Sequence, residues 1–148
     1  MERREFCLRT AQVVSLVSAS ELLRACSSPT GPGNAPQLTT IGGAVSGRTI
    51  TVTIAAASPL AAVGGAALVT TGLGPFLVAR TGQNAFSVVT ATCTHEDCTI
   101  SGFENAMYVC PCHGSQFTES GTVVSGPASV SLRQFAAQFT DPTLTWSA

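Results

Sequence analysis

Four of the six cysteines and both histidines of this 148-residue chain fall between positions 93 and 113. They form two short segments, Cys93-Thr94-His95-Glu96-Asp97-Cys98 and Cys110-Pro111-Cys112-His113-Gly114-Ser115. Thiols and imidazoles packed this densely make a site; cysteines that only brace a fold are spread along a chain. Cys93, His95, Cys110 and His113 could hold one tetrahedral zinc ion or two irons bridged by sulfide. Structural zinc sites usually pair like ligands, Cys with Cys and His with His. Here each segment offers one thiolate and one imidazole. That split lets both thiolates bind one iron and both imidazoles the other, the two-thiolate, two-imidazole division of a [2Fe–2S] centre. Cys98 and Cys112 are left over, and a disulfide between them would lock the two loops together in an oxidising compartment.

The rest of the chain reads as a β scaffold for those loops. Apolar residues make up 45% and charged residues 10%, and no lysine occurs. Arg48–Ala55 alternates Ile50, Val52 and Ile54 with threonines, the period of a strand. Ala66–Thr71, Pro75–Arg80, Ala85–Ala91, Met107–Cys110, Thr122–Ser125 and a last run through Leu144 and Trp146 are further short β-rich stretches, several of them split by glycines. No convincing helix follows residue 27, and only Ser131–Phe139 has the look of a helical turn. Strands this closely spaced predict an all-β fold, an antiparallel sandwich or barrel over 37–148, with the two loops (about 91–118) as a cluster-binding subdomain.

The first 36 residues read as an address. Arg3 and Arg4 precede a short apolar run ending at Leu23, interrupted by Glu21 and too short to span a bilayer. The paired arginines resemble a twin-arginine export signal, so residues 1–26 are expected to direct export. Leu23-Arg24-Ala25-Cys26 also resembles a lipoprotein cleavage box, in which a lipidated Cys26 would anchor the chain to a membrane. Residues 27–36, rich in Ser, Pro and Gly, have the composition of a flexible linker. Past Cys26 three arginines face five carboxylates. That balance offers no grip on phosphates and excludes a nucleic-acid partner.

The paired boxes resemble those of Rieske iron–sulfur proteins of the high-potential, disulfide-containing kind, such as the Rieske subunits of quinol–cytochrome c oxidoreductases and arsenite oxidases. The resemblance extends through Pro59–Arg80 and the Gly126-Pro127-Ala128 turn, and so covers the chain from about Gln37 to Trp146. It implies a Rieske fold, a [2Fe–2S] cluster on Cys93, His95, Cys110 and His113, and a Cys98–Cys112 disulfide. Gly114, Ser115, Phe117 and Pro127 would border the cluster. Oxidised iron would draw charge from the two imidazoles, so that a proton leaves with the electron and the potential becomes pH-dependent. A potential flat from neutral to strongly alkaline pH would count against histidine ligation.

Two departures from that pattern matter. Ser115 stands where the family places a hydroxyl donor to a bridging sulfide, but Phe117 stands where many members have a tyrosine donating to a cysteine sulfur. Donors to sulfur favour the reduced cluster, so the potential is expected within the Rieske range of about −150 to +300 mV but below members with both donors. Glu96 and Asp97 replace the apolar residue and glycine common in quinol-oxidising relatives. Two carboxylates at the tip cost desolvation energy in an apolar quinol pocket and suit a basic protein partner.

The leading expectation is an exported electron carrier, soluble or lipid-tethered, serving a cytochrome or the large subunit of an oxidoreductase. The alternative is a subunit of a quinol–cytochrome c oxidoreductase or an arsenite-oxidase-like complex, with quinol as a further partner. Ferredoxin components of ring oxygenases fit less well, because they lack the second cysteine pair. No catalytic residue of its own is expected.

Overall fold

The computed structural model describes residues 33–148. The expected export segment, Cys26 and residues 27–32 of the expected linker lie outside the described residues. Thirteen short strands follow: β1 (Thr40–Gly42), β2 (Ala44–Ser46), β3 (Thr49–Thr53), β4 (Ala66–Thr71), β5 (Gly74–Arg80), β6 (Phe86–Thr90), β7 (Gly102–Glu104), β8 (Met107–Val109), β9 (Gln116–Thr118), β10 (Val123–Ser125), β11 (Gln134–Phe135), β12 (Ala137–Thr140) and β13 (Thr143–Ser147). They make three sheets, ordered β1-β4-β5-β6-β11, β12-β13-β3-β2 and β10-β9-β8-β7. The fold is all-β, as the sequence predicts.

The five-stranded sheet is the middle layer. In β4, β5 and β6 the apolar runs are nearly unbroken, because both faces of these strands are buried. Alternate side chains therefore feed two cores. Ala67, Val69, Phe76, Val78 and Val88 meet Ile50, Val52, Leu144 and Trp146 of the second sheet. Leu68, Leu77, Ala79, Val89 and Ala91 meet Cys93, Ile100, Tyr108, Cys110 and Phe117 on the other side. The second sheet has a solvated outer face and so shows the alternation that betrayed β3: Ile50 and Val52 are buried between Thr49, Thr51 and Thr53. Each large apolar side chain taken fully from water contributes about 1.5–3 kcal/mol, so these two cores dominate the stability.

Every strand expected from the sequence is present. The expected all-antiparallel pairing has one exception, since β1 runs parallel to β4 (Thr40 opposite Leu68). Ser131–Phe139 forms no helical turn; it supplies β11 and the start of β12, with Gln134 and Phe135 paired to Val89 and Val88. Strands of two to four residues are too short to display a period, which is why β1, β2, β7, β9, β11 and β12 left no pattern to read.

Tyr108, at the centre of β8, is fully buried, and its hydroxyl has no hydrogen-bond partner among the described residues. Burial, with a smaller push from the Glu119 carboxylate, raises its phenol far above the ordinary value. An unpaired buried hydroxyl costs about 1–3 kcal/mol, so Tyr108→Phe is expected to stabilise the domain by about 1 kcal/mol in chemical denaturation. The linkage has a definite sign. The folded protein keeps a proton that the unfolded chain loses above about pH 10. Stability should thus be unaffected by this group below that pH and fall as the pH rises past it, and Tyr108→Phe should remove that fall.

Candidate metal centre

Both cysteine–histidine loops project from the same part of the fold. β6 leads through Ala91 and Thr92 into the first loop, whose base is closed by the Thr92–Thr99 bridge and by Ile100 N–H donating to Ala91 O at 2.7 Å. Within it Cys93 N–H donates to Cys98 O at 2.8 Å, and Cys98 N–H donates to Glu96 O. The β7–β8 hairpin turns at Asn105 and Ala106, both left-handed with φ of 51° and 58°, as a tight two-residue hairpin turn requires. It delivers the chain to the second loop, where Cys110 N–H donates to Ser115 O at 2.9 Å and Gly114 N–H to Cys110 O at 3.0 Å. Gly114 takes a φ of 74°, which glycine adopts without strain.

The donors sort by burial. Cys93 and Cys110 are free thiols, 2% and 1% exposed, and belong to the core shared with the middle sheet. Burial pushes the Cys110 thiol up, backbone N–H groups of Cys112 and His113 pull it down, and the Cys93 thiol beside it pushes it up again. Those two amides are donors that would favour a thiolate. His95 and His113 lie outside, both exposed, with ring centroids 4.9 Å apart and planes near perpendicular at 89°. Glu96 Oε2 lies 3.8 Å from His113 Nδ1, with both side chains about half or more in solvent. Asp97 is exposed next to it.

Cys98 and Cys112 form a disulfide across the two loops, with Cα atoms 6.5 Å apart. That bond removes their sulfurs from the donor set although both lie within 4.8 Å of Cys110 Sγ. Among the described residues the remaining thiols are Cys93 and Cys110 alone. The donor set therefore fits a two-iron cluster with buried thiolates on one side and exposed imidazoles on the other. An ordinary tetrahedral zinc site gives no reason for this inside–outside division.

Ser115 is fully buried and its hydroxyl accepts from Ala128 N–H at 3.1 Å, which leaves its own proton for another acceptor. The Gly126-Pro127-Ala128 turn presses on it, since a Cβ at Gly126 would lie 2.5 Å from Ser115 Cα. Phe117 is fully buried in the core that includes Cys93 and Cys110. Three contributors were not foreseen. Thr94 Oγ1 donates to Val130 O at 2.6 Å, tying the first loop to the chain beyond the proline turn. Val130 itself is 61% exposed, an apolar side chain beside the tip. The third is the segment 33–38, which packs on the cluster sheet. Nothing in the sequence marked any of the three.

Phe117→Tyr is expected to raise the reduction potential by placing a hydroxyl among the groups around the two thiols. Protein-film voltammetry would measure it. An unchanged or lowered potential would sink the account of Phe117.

Residues 51–136 match the Rieske [2Fe-2S] domain family. The cytochrome b6-f complex iron-sulfur subunit of Trichodesmium erythraeum is 44% identical over 59 residues, covering 38% of this chain and 32% of its own length. That of Chlorobaculum tepidum is 38% identical over 58 residues, with the same coverage. The match thus spans about a third of these relatives. Among solved structures, the cyanobacterial plasma membrane Rieske protein PetC3 from Synechocystis PCC 6803 aligns at a TM-score of 0.51 and 34% identity, over 56% of this chain and 86% of that one. A match across more than half of its length places this chain in the Rieske [2Fe-2S] family, and its cofactor is the Rieske cluster that carries one electron at a time.

Proposed function

We propose that the chain is an exported, one-electron carrier that passes electrons to and from basic protein partners through an exposed, acidic cluster tip. Cys93 and Cys110 would hold one iron of the cluster, and His95 and His113 the other. When bound, the cluster supplies one-electron chemistry with no bond made or broken in a substrate. The protein's part is to hold it, set its potential and present it. The two buried thiols keep the sulfur side from water. The two exposed imidazoles give an electron the shortest route to a docked surface. The backbone N–H groups of Cys112 and His113 donate to the Cys110 sulfur, and the Ser115 hydroxyl, which accepts from Ala128 N–H, keeps a proton free for a cluster sulfur; such donors favour the reduced form.

The observation that carries this reading is the tip itself. His95 and His113 stand in solvent with Glu96 and Asp97 on the same loop edge, and no arginine lies in either loop. Exposed carboxylates steer a positively charged partner and raise its association rate, an effect that fades with salt. The double variant Glu96→Lys/Asp97→Lys is expected to slow electron transfer to a basic c-type cytochrome about tenfold at low ionic strength. Wild-type and variant rates should converge as salt is raised. Equal rates at low salt in stopped-flow measurements would overturn the assignment of the tip.

Export rests on the paired Arg3 and Arg4, and tethering on Cys26. A periplasm-facing place follows from that export, and the likeness to a plasma membrane Rieske protein supports a place at the membrane. A second reading has its own support: relatives that are subunits of the cytochrome b6-f complex favour a place within a membrane oxidoreductase. Co-purification of the chain with a cytochrome b from native membranes would select that reading over a free carrier.

A further inference from the structure

The segment from Gly33 to Leu38, part of it expected as linker, is held along the cluster sheet. Phe103 N–H donates to Pro36 O at 2.9 Å, Gln37 bridges Gly102 in antiparallel fashion, and Leu38 N–H donates to Ser101 O at 2.7 Å. These contacts cover β7, which is the edge strand of the β10-β9-β8-β7 sheet. Ala35 lies against Gly102, where an added Cβ would come within 3.0 Å of it, and Leu38 packs on the core that contains Cys93 and Cys110. At the start of the segment Gly33 has a φ of 94°, and a Cβ there would meet Pro111 O at 2.6 Å and Pro111 Cα at 3.2 Å. Backbone meets backbone at that point, so no flexible side chain can give way.

Pro111 sits between Cys110 and Cys112, inside the second cluster loop. One end of the segment is thus seated on that loop, and the other is bonded to the strand pair that carries it. We propose that Gly33–Leu38 is a strap that positions the second cluster loop, with Gly33 as the positioning residue against Pro111. This rests on the reading of Cys110 and His113 as ligands. The strap acts on the geometry of the ligand pair and touches neither the iron nor its partner.

The test compares Gly33→Ala with Gly64→Ala in the cluster-loaded protein. The two glycines have φ of 94° and 86°, but a Cβ at Gly64 meets nothing within 4 Å. The pair therefore carries a similar backbone strain and differs in the contact with Pro111. Gly33→Ala is expected to shift the g-values of the reduced cluster and its potential, and to release iron to a chelator about tenfold faster, a factor equal to about 1.4 kcal/mol. Gly64→Ala should leave all three at the wild-type values. If the two variants behave alike, the strap proposal fails. Should Gly33→Ala not fold, Leu38→Ala loosens the strap without strain and is read in the same way; wild-type g-values and iron release in it would overturn the proposal. A wild-type protein without Rieske g-values would instead disprove the ligand assignment, an outcome distinct from either variant's.

Discussion

Cys110→Ser is expected to give a folded, colourless protein with no EPR signal on reduction. Cys110 is buried, lies beside the Cys93 thiol, and receives backbone N–H groups from Cys112 and His113. Those are surroundings for an anionic sulfur. A serine hydroxyl keeps its proton near neutral pH and cannot replace the thiolate, so one iron loses half of its protein ligands. The fold survives because the Cys98–Cys112 disulfide still joins the loops, the change at Cys110 is a single atom, and the core on the far face of the middle sheet is untouched. Cys112→Ser is the informative contrast. It leaves Cys93, His95, Cys110 and His113 in place, and the cluster spectrum should persist. Losing a crosslink that closes a loop of 14 residues costs about 3 kcal/mol in the chain-entropy account. For a domain of this size that is a fall in melting temperature of about 10 °C. Cluster loss in both variants, or in neither, would contradict the division of the four cysteines into ligands and clasp.

The split into a Cys98–Cys112 disulfide and two free thiols, Cys93 and Cys110, was legible in the sequence because site chemistry is written in residue type and spacing. Cys-x-His and Cys-x-x-His name their donors wherever the chain goes. The β class was legible for a different reason. Long strands such as β3 and β5 display either the alternation of a half-buried sheet or the apolar run of a doubly buried one. What stayed hidden is long-range and backbone-borne. The parallel pairing of β1 with β4, the clasp of Thr94 on Val130 and the seat of Gly33 on Pro111 involve no residue type that announces a partner. Their cause is the three-layer arrangement, which brings distant segments together. Residues 33–36 illustrate the limit: Gly, Asn, Ala and Pro read as linker by composition, and their backbone nonetheless lies on the cluster sheet. Tyr108 is a further case, since a tyrosine before a cysteine box gives no sign that its hydroxyl will be buried without a partner.

Arg80 should carry the largest stabilising role of any single charged residue in the scaffold, and it takes no part in the cluster. Its guanidinium donates from Nη1 to Leu60 O at 3.2 Å and Ala61 O at 2.7 Å, from Nε to Gly82 O at 3.3 Å, and from Nη2 to Gln83 O. It also lies over the rings of Phe86 and Phe139, at 5.3 and 5.6 Å from their centroids. One side chain at the end of β5 thereby pins the 58–65 segment, the β5–β6 turn and β12. The backbone repeats the clamp, with Arg80 N–H donating to Gly65 O and Gly64 N–H donating to Arg80 O. Arg80→Leu keeps much of the apolar stem but strands four carbonyl acceptors, each charge-assisted bond being worth about 1.5–3 kcal/mol gross and less where water can replace it. The expected loss is about 3 kcal/mol by chemical denaturation. Arg80→Lys should recover little of it, because an ammonium is a point charge and cannot reach four carbonyls and two ring faces from one position. The cluster gives the control. In the folded population of Arg80→Leu the g-values and potential should match the wild type, since the second loop is held by its own bonds and by the disulfide. A shifted potential with unchanged stability would reverse the roles assigned to the two ends of the domain.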